Sequence, residues 1–124
     1  LAMILARRGQ DLDEAVSLAE RAVAAAPNVP TIYDTLSFVQ AKDKKVDAAV
    51  ATIKKAIALD PRNMQWKVHE ARILWDGGRH KEAQTLAVEI GAMTPPQDSS
   101  GKKTMQEWQA LKAEMTKQAA ANGV

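Results

Sequence analysis

Residues 46–61 read Val-Asp-Ala-Ala-Val-Ala-Thr-Ile-Lys-Lys-Ala-Ile-Ala-Leu-Asp-Pro, an amphipathic helix with its stop signal. Val46, Ala49, Val50, Ile53, Ala56 and Ile57 recur at the three-and-four spacing of one helical face, and Leu59-Asp60-Pro61 stops the run. The same stop stands one period away on either side, because Pro27, Pro61 and Pro95 lie 34 residues apart (61 − 27 = 34 and 95 − 61 = 34). Small residues keep step with it. Ala15, Ala49 and Ala83 each lie twelve places before a proline, and Ala22 and Ala56 each lie five places before one. A fixed period of this length marks a helical repeat array, whose units bury their apolar faces by stacking on one another.

The totals agree with such an array. The chain has 124 residues, enough for one domain, and its 46% hydrophobic content is rich in alanine while aromatics supply only 4%. Alanine is the strongest helix former and lets helices approach closely, so thin helical layers are expected in place of a bulky core. Lys and Arg number 17 against 15 acidic residues, a formal net charge of +2. That balance lacks the basic stripe of a nucleic-acid surface, and the basic pairs Arg7-Arg8, Lys44-Lys45, Lys54-Lys55 and Lys102-Lys103 fall on separate segments. There is no cysteine, hence no disulfide framework and no thiolate site. No apolar run approaches the roughly 20 residues that span a bilayer. Leu1 opens inside a repeat, so the sequence reads as a fragment or a processed form. The compartment stays open, with a cytoplasmic location favoured over a periplasmic one.

Within residues 1–96 three units are expected: a partial first repeat at 1–29, a second at 30–63 and a third at 64–96. In the first, apolar residues at 12, 15, 16, 18, 19, 22, 23 and 26 follow acids in the opening turn, where the helix dipole favours them. The second places Ile32, Tyr33, Leu36 and Val39 on one helix, turns through Lys42 to Lys45, and continues with the stretch quoted above. In the third, Trp66, Ala71, Ile73, Leu74 and Trp75 form the first helix, Gly77-Gly78 the turn, and Ala83, Leu86, Ala87, Ile90 and Met93 the second helix. Glycine there supplies the left-handed backbone a helix end needs, as Gly9 does for the first turn. The second turn has none, so Asp43 or Lys44 must take that conformation under strain. Beyond Pro95-Pro96, residues 97–124 read as a polar, flexible linker and a terminal helix. Thr104 and Glu107 have the spacing of a capping box, and Met105, Trp108, Leu111, Met115 and Ala119 share one face. This helix either covers the open side of the last repeat or docks on a partner.

Residue types at these positions resemble the tetratricopeptide repeat. The middle unit matches best, with Tyr33 at the first aromatic position, Leu36 at the leucine, Ala49 and Ala56 at the alanines and Pro61 at the end. Ser37 replaces the glycine of the pattern, and Gln40 and Ile53 replace two aromatics. In the third unit Ala71, Leu74, Ala83 and Pro95 fit, while Lys67, Glu70 and Ile90 depart from it. The resemblance implies an all-α, right-handed superhelix of helix-turn-helix repeats, with the first helix of each pair lining a concave groove. It places Thr31, Asp34, Phe38, Ala41 and Lys42 in the groove of the second unit. Gln65, Val68, His69, Arg72, Trp75 and Asp76 fall in that of the third, and Arg7 and Arg8 near the truncated end. Phe38 and Trp75 beside Arg72 make a recognition patch, or else the two rings pack between helices. The chaperone-tail clamp of the family is not matched, since Asp34 and Phe38 stand at two of its donor positions.

No reactive constellation accompanies these residues. His69 and His80 are the only histidines, and neither has a second ligand four places along a helix. Gly77-Gly78 lacks the preceding strand and the Gly-Lys-Ser/Thr ending of a phosphate loop. No cofactor or metal is implied, and the methionines read as core filler. The sequence therefore points to a noncatalytic scaffold module that holds a protein or peptide partner, with no nucleic acid and no membrane span. The alternatives are self-association through the apolar N-terminal residues Leu1, Met3, Ile4 and Leu5, or an accessory repeat region of an enzyme in a longer chain.

Overall fold

A computed structural model of the protein describes residues 12–95 and 97–121, the last three of these by their backbone alone. The expectations for Leu1, Met3, Ile4, Leu5, Arg7, Arg8, Gly9 and the side chain of Ala119 lie outside the described residues. Six helices and no strands occur among them: α1 (Leu12–Ala25), α2 (Pro30–Lys42), α3 (Val46–Leu59), α4 (Met64–Asp76), α5 (His80–Gly91) and α6 (Ser100–Ala121). None is long and apolar enough to cross a membrane.

The period seen in the prolines is carried by the helices themselves. First-helix starts at Pro30 and Met64 are 34 apart (64 − 30 = 34), and second-helix starts at Val46 and His80 repeat the interval (80 − 46 = 34). Each helix packs on the next from α1 to α5, and the first helices α2 and α4 also touch each other. Short connections between packed helices make neighbours antiparallel.

Alanines at the repeat positions permit this stacking. Ala15, Ala49, Ala56, Ala71 and Ala83 are fully buried, so backbones approach closely where larger side chains would hold them apart. One cluster joins Ala15, Val16, Ala19, Leu36 and Val39 between α1 and α2. A larger one runs from Tyr33 through Ile53, Trp66, Leu74 and Ile90 to Trp108 and Leu111 of α6. Gln40, at a position where an aromatic was expected, is buried and accepts a hydrogen bond from the Thr52 hydroxyl (2.7 Å). A satisfied polar pair thus fills the aromatic's place without leaving a buried donor or acceptor unpaired.

The turns divide their duties among residues. Lys44 takes the left-handed conformation in the second turn (φ 61°), as the missing glycine required. In the third turn only Gly78 does so (φ 84°). Gly77 has an ordinary φ of −82° and is needed for a different reason, since a Cβ there would stand 2.8 Å from the Val46 side chain. It lets the end of α4 press against the start of α3.

At the C-terminal end the sequence reading needs correction. The residues expected as linker, Ser100 to Lys103, are already helical, and the cap is Asp98, whose Oδ1 accepts from the Ser100 backbone N–H (2.9 Å). Thr104 is not a cap, because it lies one turn inside α6 with its side chain fully buried. Glu107 is correspondingly free to reach across to α4. A strict repeat would start this helix at 98 (64 + 34 = 98), and α6 starts two residues later and runs for 22 residues against 13 in α4. It packs on α4 through Trp108 and Leu111, with Met105 and Met115 half-buried beside them.

Candidate functional site

The first helices of the two units present one continuous face. On α2, Asp34, Phe38 and Lys42 follow at intervals of four, so they stack along one side of the helix. On α4, His69, Arg72 and Asp76 do the same at three and four. Together with Lys103 and Glu107 of α6 these residues line a cleft of about 410 Å³, floored by Ser37, Ala41 and Ile73.

Four of the residues expected in the groove stand elsewhere. Trp75 is 7% exposed and stacks on His80 with ring centroids 3.9 Å apart, because its direction from α4 points into the second helix of its own unit. Val68 is buried in the core. Gln65 is held at the first turn of α4, where its backbone N–H donates to Asn63 Oδ1 (3.0 Å), and it does not line the cleft. Thr31 is exposed one turn before the cleft, its carbonyl accepting from the Thr35 hydroxyl (3.1 Å). Asp34, Phe38, Lys42, His69, Arg72 and Asp76 are brought together.

Charge in the cleft is arranged in bridges between helices. His69 Nδ1–H donates to Asp34 Oδ1 (2.7 Å) and Nε2–H to Glu107 Oε2 (3.2 Å). Burial disfavours the imidazolium, yet the two carboxylates outweigh it, first through the hydrogen bond that Asp34 accepts, and the pKa rises to about 9. His69 is therefore a cation at neutral pH with both nitrogens engaged. It has no lone pair to offer as a general base or metal ligand, and its carboxylates sit on opposite sides of the ring, unable to converge on one ion. Asp34 is in turn paired by that contact. Arg72 donates through Nη2 to Glu114 Oε2 (2.6 Å) and through Nη1 to Asp76 Oδ1 (3.2 Å). Its hydrogen bond holds the Glu114 carboxyl below the usual range, as that from His69 does for Glu107.

On the α2 side the cleft is open. Phe38 is 37% exposed, and Lys42 Nζ stands 5.2 Å from its ring centroid, a cation–π contact. Neither Lys42 nor Lys103 has a carboxylate within 4.0 Å among the described residues. The roles of Glu107 and Glu114 escaped the sequence reading. Their signal was the seven-residue interval that puts both on the side of α6 occupied by Trp108, Leu111 and Met115.

Helix pairs in a 34-residue register, with a cleft along their first helices, make an all-helical repeat fold like that of tetratricopeptide arrays. Among solved structures the chain is similar to MamA, residues 41 to the end, from Desulfovibrio magneticus RS-1. The TM-score is 0.62 at 24% sequence identity, covering 78% of this chain and 58% of that one. That likeness is one of fold, and it agrees with the all-helical repeat architecture. No protein-family model matches the sequence, and no curated protein matches it.

Proposed function

We propose that the chain is a noncatalytic protein-interaction module whose cleft between α2 and α4 receives a segment of a partner protein. The observation that carries this reading is an exposed aromatic, Phe38, beside Lys42, which has no carboxylate within 4.0 Å among the described residues, on the first-helix face of a repeat array. Exposed aromatics flanked by cations supply the anchors that dominate protein association, and a rigid helical face presents them at low entropic cost. Asp34, His69, Arg72 and Asp76 line the cleft and fix its charge. Thr31, Gln65 and Trp75 lie outside it and serve the fold. In this reading residues 1–96 form the binding array, and residues 97–124 close its last unit.

Capture from the source lysate tests the proposal, with the parent chain compared against a Phe38→Ser, Lys42→Glu double variant. Both positions are exposed, so the variant keeps its helix content by circular dichroism. A protein recovered with the parent and lost with the variant supports the cleft. Recovery of the same proteins by both chains refutes it.

A further inference from the structure

From its seat on α4, we infer that α6 is an internal stand-in for the partner: the external ligand is an amphipathic helix with two carboxylates two turns apart, which binds by displacing α6. The inference rests on the groove reading above and names the chemistry of its occupant.

The seat displays its own preference. His69 and Arg72, one turn apart on α4, are met by Glu107 and Glu114 of α6 at 3.2 and 2.6 Å. Between those carboxylates, Trp108 and Leu111 enter the core with 4% and 0% exposure. A helix that carries acid, tryptophan, leucine and acid at the spacings of residues 107, 108, 111 and 114 therefore satisfies the cations and the apolar floor together.

Three features mark α6 as a replaceable occupant of that seat. First, Thr104 Oγ1 of α6 is buried with no hydrogen-bond partner among the described residues, so docking leaves one polar group unsatisfied. Second, α6 does not close on α5. A channel of about 540 Å³ runs between them, lined by Met64, Ala87, Met93, Met105 and Met115. Third, α6 does not fill the cleft beside Phe38 and Lys42, which it borders only through Lys103 and Glu107. A partner helix with a larger apolar residue toward α2 fills that space and gains contacts that α6 does not make.

The test uses the full chain and a fluorescein-labelled synthetic peptide of residues 100–121 as the probe helix. A full-chain Glu107→Gln, Glu114→Gln variant keeps its seat but loosens its own α6. It should bind the probe at least about tenfold tighter than the parent chain does, and a probe with the same two changes should lose that gain. Equal affinity of parent and variant for the probe, or no binding to either, overturns the inference. Amide exchange in the parent chain gives a second reading that needs no variant: α6 should exchange at least about tenfold faster than α4, and equal protection overturns the inference. If the peptide fails while Phe38 and Lys42 still govern lysate capture, displacement falls and the groove reading stands. If capture ignores Phe38 and Lys42, the groove reading falls and the inference with it.

Discussion

His69 shows what a single residue contributes when two helices contest it. Its folded pKa of about 9 stands above the ordinary 6.5, so the imidazolium stabilises the folded state. That contribution is complete below about pH 6.5 and is lost as pH rises through about 9. It is on the order of 2–3 kcal/mol, allowing for partial solvent screening. Glu107 and Glu114, held low, act in the opposite direction and lose their contribution on acidification. Thermal melts between pH 6.5 and 10 should therefore show falling stability in the parent chain, and His69→Gln should flatten that slope. An unchanged slope would mean that the bridge contributes nothing. Lys44 offers a second test, because a side chain at φ 61° carries a backbone cost that glycine avoids. Lys44→Gly should raise stability by about 0.5–1 kcal/mol in denaturant titration. These two residues differ in legibility. The strain at Lys44 followed from a turn without glycine, a local fact. The bridge from His69 to Glu107 joins positions 38 apart, and nothing in either local sequence specifies it.

At the scale of the element, α6 and α3 answer the same substitution differently. Ile53 is fully buried in the middle of the array, where truncation to alanine costs about 2–5 kcal/mol because the cavity has no escape. Trp108 is nearly as buried, but its helix can leave. Its loss is limited to the free energy of docking α6, about 1–3 kcal/mol, or several degrees in melting temperature. Trp108→Ala and deletion of residues 104–124 should thus lower the melting temperature by the same amount. A clearly larger drop for the point variant would show that α6 is integral to the core. The repeat helices were legible because proline, alanine and apolar spacing all recur at one interval. The start of α6 was misread at Thr104 because a capping-box spacing also occurs inside helices, and Asp98 with Ser100 was the cap that the chain uses. Trp75 illustrates the other error. Periodicity puts it on α4 without saying whether its ring turns to the groove or to His80, and that choice is made by the packing of α5.

For the whole molecule, the two full helix pairs, one further helix and α6 of the described residues make an array with a continuous first-helix face. The repeat period, with its alanines and terminal prolines, fixes how the helices stack. The identity of the residues facing outward from α2 and α4 decides what the stack can hold. Phe38 and Val88 are both exposed apolar residues, at 37% and 80%, but they stand on different helices and in different surroundings. Phe38 lines the cleft, and Val88 lies on the second helix of its unit beside the channel under α6. The most direct test of the groove is a photo-crosslinking amino acid placed at position 38 or at position 88 in the full chain, irradiated in the source lysate. A discrete crosslinked protein is expected from position 38, whether or not position 88, which lines the channel under α6, also yields it. Crosslinking from position 88 alone, or from neither position, would contradict the groove reading.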